Sequence, residues 1–203
     1  MDGAVPLRHN LPVTTNTGRW PVPGAGVTVR RARPAEYALV GELTVEAYVH
    51  GGLVDPDDSY VERLRDAADR AAKAELLVAE LAGEIAGSVA YCPPGSPYAE
   101  LAGPDEAEFR MLAVRERARG AGAGRALVQA CIDRARDAGL AALRLATQPN
   151  MRAAQRIYTR MGFTRSPERD WNPVPELRLM TYVLDLRTET AAPPETAQAA
   201  NRP

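Results

Sequence analysis

The sequence offers little to a metal or a redox centre. It holds two cysteines, Cys92 and Cys131, far apart and without metal-ligand spacing. A reduced, cytoplasmic protein with no metal site is the expectation. Lysine is almost missing as well: Lys73 stands alone, and every other basic side chain is arginine. The formal net charge is −1, so the molecule as a whole is not built to attract a polyanion, and no nucleic-acid partner is expected. Long apolar runs are absent too. The longest uncharged stretches are too short and too rich in proline and glycine to cross a bilayer, so no membrane association is expected. Met1 to Gly26 shows no apolar segment behind a basic start, so no secretory signal is expected there.

What remains is an ordinary globular composition. The chain has 203 residues, 45% of them hydrophobic and 25% charged, enough for one domain with a sizeable core plus some tail. Residues 1–26 carry Pro6, Pro12, Pro21 and Pro23 and read as a flexible arm. Residues 188–203, rich in Ala, Pro, Thr and Glu, read as a disordered tail. The folded unit is expected over 27–187. Apolar periodicity predicts the order β-α-α-β-β-β-α-β-α-β-β. Its elements include a strand at Val27–Arg30, a helix from Pro34 to about Ala47, and a second helix over Ser59–Ala74. A hairpin of Leu76–Leu81 and Ile85–Cys92 follows, then strands at Ala107–Val114 and Leu140–Thr147, a helix over Asn150–Met161, and last strands at Phe163–Arg165 and Leu177–Leu186. The fold class is α/β, with a mixed sheet and helices on both faces.

The sharpest feature is the run Arg119-Gly120-Ala121-Gly122-Ala123-Gly124, set between a strand and a helix. Three alternate glycines let backbone approach a ligand, and the free amides at the helix start point at it with the positive end of the helix dipole behind them. Arg115, Arg117, Arg119 and Arg125 face one acid, Glu116, across this stretch. A small anion site fits this pattern; a tight turn that needs glycine for sterics alone is the plainer alternative. Neither common nucleotide signature is met. From Gly120 the six-residue spacing falls on Gly122 and then Arg125, where a third glycine is required, and no lysine is present for a hydrolase phosphate loop.

Phe109-Arg110-Met111-Leu112-Ala113-Val114, followed by Arg119 to Leu127, resembles the acetyl-CoA-binding segment of the GCN5-related N-acetyltransferase (GNAT) superfamily, with Arg119, Gly122 and Gly124 on its pattern. A second stretch agrees independently. Asn150 to Tyr158, closing on Met161-Gly162-Phe163, is similar to that superfamily's Asn-x-x-Ala-x-x-x-x-Tyr-x-x-x-Gly-Phe segment. The resemblance implies a sheet whose two central strands, Ala107–Val114 and Leu140–Thr147, splay to admit the pantetheine arm of acetyl-CoA.

It also implies roles. Main-chain groups of Leu112, Ala113 and Val114 would pair with the arm, and Arg119, Gly120, Ala121, Gly122, Ala123, Gly124 and Arg125 would surround the diphosphate. Asn150 would bond the arm, cap its helix, or both. Tyr158 would give a proton to the departing thiolate, the alternative being a core tyrosine that packs its helix on the sheet. Glu108 would serve as base, or be a solvent-facing charge. Asp105, Glu106, Asp55, Asp57 and Asp58 are further acids that could line an acceptor site. An acyl-cysteine route is disfavoured, because Cys131 sits on an apolar helix face and neither histidine is placed to activate Cys92. The expected activity is acetyl transfer to a primary amine on a small molecule or a peptide. The alternative is a non-catalytic acyl-CoA sensor. Acceptor choice is assigned to Glu36–Ala74, Pro93–Pro104 and Glu168–Glu176, including Trp171, and a homodimer is possible.

Overall fold

A computed structural model describes residues 26–187. The expectations for 1–26 and 188–203 thus lie almost wholly outside the described residues. Strand β1 (Thr28–Arg31) leads into a 3-10 turn at Pro34–Glu36 and helix α1 (Tyr37–Val49). Two short helices follow, α2 (Tyr60–Arg65) and α3 (Ala67–Lys73), then strands β2 (Glu75–Leu81), β3 (Glu84–Cys92) and β4 (Glu106–Val114). Helix α4 (Ala123–Asp137), strand β5 (Ala142–Thr147) and helix α5 (Arg152–Arg160) come next. Strands β6 (Thr164–Arg165), β7 (Trp171–Val174) and β8 (Leu177–Asp185) end the described chain.

The sheet runs β1-β2-β3-β4-β5-β8-β6, with β7 also on β8. Every pairing is antiparallel except β4 with β5. Helices α1 to α3 cover one face, and α4 and α5 cover the other. Leu127, Val128, Cys131, Ile132 and Ala135 form the buried stripe of α4, at the spacing of one helical face. Burying one such large side chain contributes about 1.5–3 kcal/mol.

Two segments differ from the sequence expectation. The helix expected over Ser59–Ala74 is broken at Asp66, where ψ is 74° and the carboxylate accepts the amide of Asp69 at 2.8 Å, capping α3. The break is held from inside. Arg70 is 1% exposed, and its guanidinium donates to the carbonyls of Arg63 (3.0 Å) and Leu64 (2.6 Å) and to Thr44 Oγ1 (3.2 Å). It thereby satisfies carbonyls that the end of α2 leaves open. The second difference is β7, a strand with Pro173 in it, tolerated because β7 lies at a sheet edge.

Helix α1 meets α2 through Gly41. A Cβ on Gly41 would fall 2.1 Å from the Arg65 carbonyl oxygen, so the two backbones approach only because no side chain is there. Gly41→Ala is expected to cost about 1–3 kcal/mol, as overpacking does. Thermal unfolding checks it: the midpoint should fall by about 2–4 °C for each kcal/mol lost.

Candidate active site

The cleft begins with an irregularity in β4. Met111 has a φ of 51°, a conformation that costs a non-glycine residue about 1–2 kcal/mol. The pairing with β3 slips at the same place: Arg110 faces Ala90 and Ala113 faces Ser88, so β4 carries one extra residue. This is a β-bulge, and it changes which side of the sheet each residue faces. Ala107 and Phe109 before it, and Leu112 and Val114 after it, all belong to the α4 side, while Met111 and Ala113 pack toward α1. The parallel ladder with β5 ends at Glu108–Arg144, although both strands continue. The central strands therefore splay, and the inner edge of β4 from Phe109 onward is left without a strand partner on that side.

The space so opened is a cleft of about 590 Å³. Leu112, Ala113 and Val114 form one wall, and Ala153, Ala154 and Ile157 of α5 the other. Its mouth is the glycine turn. Gly122 is the N-cap of α4 with φ 91° and no side-chain cap, so the first amides of the helix are left to whatever occupies the mouth. A Cβ on Gly120 or Gly122 would meet no atom within 4 Å, so both glycines border open space. Gly124 differs: a Cβ there would touch Ile157 Cδ1 at 3.4 Å and Val114 Cγ2 at 3.5 Å, so its bareness serves packing.

Of the sequence-predicted cofactor residues, all but Ala121 line this cleft. Ala121 turns its amide back to the Ala118 carbonyl and packs on the core. The four arginines around the turn divide into two pairs. Arg115 bonds Glu46 and the Ile85 carbonyl, and Arg117 bonds Glu84. Arg119 and Arg125 are exposed at the cleft and form no ion pair among the described residues. Asn150 is exposed and lines the cleft without capping α5; Met151 occupies the cap position, with no side-chain capping bond.

The two catalytic candidates lie elsewhere. Glu108 is 1% exposed and outside the cleft, not on a solvent face. Its Oε2 accepts the amides of Glu100 (2.8 Å) and Leu101 (2.7 Å), tying the loop after β3 to β4. Burial pushes its carboxyl above the usual range, opposed by those two amides. Glu108→Gln keeps an acceptor for both amides, so acetylation is expected to persist, against the ~10²–10⁴-fold loss when a general base is removed. Steady-state rates with any working acceptor check it.

Tyr158 is 2% exposed, with its ring 5.7 Å from Phe109 and 6.1 Å from Tyr182. It packs α5 on the sheet and does not line the cleft, although Ile157 and Met161 beside it do. Burial drives its phenol well above the ordinary value, so it keeps its proton. A second phenol, Tyr48 at the end of α1, does line the cleft and was missed in the sequence, where it reads as one more apolar helix position. Burial raises its pKa as well.

Four of the other five acids are committed, and Asp57 is exposed with no partner for its carboxylate among the described residues. Glu106 pairs with Arg144 at 2.7 Å, Asp105 pairs with Arg187, and Asp55 and Asp58 accept amides of their own turn. Burial pushes the Cys92 thiol up to about 12 and raises Cys131 further, so neither is a ready thiolate. Trp171 stands in β7 with its indole N–H enclosed and unpartnered. Among the described residues no helix is long and apolar enough to cross a membrane.

A splayed parallel pair with a glycine-rich helix start at its mouth defines a class of protein, and comparison with known proteins agrees. The family model for the Acetyltransferase (GNAT) family matches residues 39–163, and the chain belongs to that family. It is a GNAT-type N-acetyltransferase, and enzymes of this type use acetyl-CoA. No curated protein matches it. Among solved structures, a GCN5-related N-acetyltransferase from Kribbella flavida is 26% identical, with 81% of this chain and 100% of that one covered at a TM-score of 0.59. The putative acetyltransferase yncA from Salmonella typhimurium, solved with acetyl-CoA, is 23% identical over 84% of this chain and 99% of that one, TM-score 0.59. A GNAT-family acetyltransferase from Staphylococcus aureus Mu50 shares the fold at 14% identity, covering 79% and 99%, TM-score 0.63.

Proposed function

We propose that residues 27–187 form a domain that moves an acetyl group from acetyl-CoA to a primary amine, on a small molecule or a peptide, by direct attack. The observation that carries this is the end of the β4–β5 ladder at Glu108–Arg144, beside a cleft that runs to the open amides of α4. In this reading Leu112, Ala113 and Val114 offer main-chain groups to the pantetheine arm, and Asn150 bonds it from the other wall. The turn from Arg119 to Arg125 holds the diphosphate, with Ala121 shaping the turn from behind.

The reaction needs a neutral nitrogen. A simple alkyl amine has a pKa near ~10.4, so its proton must leave first, to water in the cleft. The nitrogen attacks the thioester carbonyl carbon, and amides near Leu112 steady the oxyanion. The C–S bond then breaks, the sulfur leaves with the electron pair, and it takes a proton. Tyr158 supplies that proton in this proposal. Its support is its place on the helix that walls the cleft, next to the cleft-lining Ile157; burial raises its pKa and so works against the donation, and water must return the proton it gives. The raised thiol pKa values favour direct transfer over an acyl-cysteine. The protein is read as cytoplasmic, with homodimerisation open to its edge strands.

A sensor that binds acetyl-CoA without turnover is the competing reading. Incubation with acetyl-CoA and a panel of amines and peptides, following thiol release, decides between them: acceptor-dependent release supports the enzyme. Tight binding with no release across amines, amino acids and N-terminal peptides supports the sensor.

A further inference from the structure

Arg152, Arg156 and Arg160 lie four residues apart on α5, so they form one ridge along the helix. All three are exposed, and none forms an ion pair among the described residues. Apart from Arg119 and Arg125 at the cleft, exposed arginines are matched: Arg31 with Glu75, Arg63 with Glu100, Arg178 with Asp170, Arg187 with Asp105. Like charges at this spacing repel and raise the energy of the helix that carries them. An anion set between them would remove that cost.

The ridge borders the cleft. The face of α5 that walls the cleft is apolar, with Ala153, Ala154, Ile157 and Met161, and the ridge runs along the edge of that face. Arg152 and Arg160 line both the cleft and a second, shallower pocket of about 380 Å³, which Arg156, Gln155, Thr159 and Tyr182 complete. The Gln155 amide nitrogen is already spent on the Gln148 and Pro149 carbonyls, and the Thr159 hydroxyl on the Gln155 carbonyl. The guanidinium groups, with Tyr182 beside them, are therefore what the second pocket offers, and their planar forks suit a phosphate monoester.

We propose that this ridge binds the 3′-phosphate on the ribose of the acyl donor and so selects coenzyme A over its dephosphorylated form. The inference rests on the reading of the cleft as the acetyl-CoA site. Once the diphosphate is held at the start of α4, one phosphate of the donor remains. The ridge is the unpaired positive charge along the cleft edge beyond Arg119 and Arg125.

Calorimetry with coenzyme A and with dephospho-coenzyme A tests this without any acceptor. The wild-type chain is expected to bind coenzyme A roughly tenfold tighter, the scale of two or three exposed ion pairs together. The advantage should shrink as salt rises from about 0.05 to 0.5 M, because exposed charges are screened. In the double variant Arg152→Gln and Arg156→Gln, on exposed positions, coenzyme A should weaken more than the dephospho form does, so that the two bind alike. Equal affinities in the wild type, or a preference that survives the double variant, overturn the ridge assignment and leave the acyltransferase reading standing. Binding of neither compound overturns both.

Discussion

Gly122→Val is expected to abolish measurable acetyl-CoA binding while the domain still folds. The residue sits at φ 91° as the N-cap of α4, where a β-branched side chain is strained by at least the ~1–2 kcal/mol of the left-handed region. That strain is within the ~5–15 kcal/mol by which a domain is usually stable. The new side chain would strike no protein atom, because a Cβ there meets nothing within 4 Å. It would instead fill the room into which the first amides of α4 point. Loss of that contact and the steric block together should weaken binding by about 100-fold or more, or at least ~2.7 kcal/mol. Calorimetry reads the affinity, and circular dichroism shows whether the fold survives. An unchanged dissociation constant in a folded variant would mean that the turn is not where the diphosphate goes.

Tyr158→Phe should lower kcat by about 10²-fold, the lower end of what a positioned acid contributes, and leave acetyl-CoA affinity intact. The ring packs among Phe109, Phe163 and Tyr182, and phenylalanine preserves that packing. Tyr48→Phe is the companion variant, because Tyr48 lines the cleft and Tyr158 does not. A drop confined to Tyr48→Phe would move the proton donor to α1. Burial raises the Tyr158 pKa above its ordinary ~10, so no fall in rate from its ionisation is expected below that pH.

Local chemistry was readable in the residues and long-range chemistry was not. The glycine turn, the hairpin between β2 and β3 and the stripe on α4 each depend on neighbours within a few positions. The splay was expected from the resemblance, but its physical origin was hidden. Ala107 to Val114 reads as one uninterrupted strand, and nothing marks methionine as the residue that takes a left-handed turn. The break between α2 and α3 escaped for a similar reason. Arg70 looks like a surface arginine, and only the folded chain shows it inside, on the carbonyls that α2 leaves open. Glu108 also looked available, and its partners lie in a loop that the sequence does not place.

The bulge at Met111 sets which way the crevice wall faces. Were β4 to keep its length but pair with β3 without the extra residue, every position beyond it would be out of phase. Leu112 and Val114 would then swap sides with Ala113, sending two large side chains toward α1 and a methyl into the crevice. Deleting Met111 would do the opposite: Phe109, Leu112 and Val114 would follow one regular pleat and keep the wall in place.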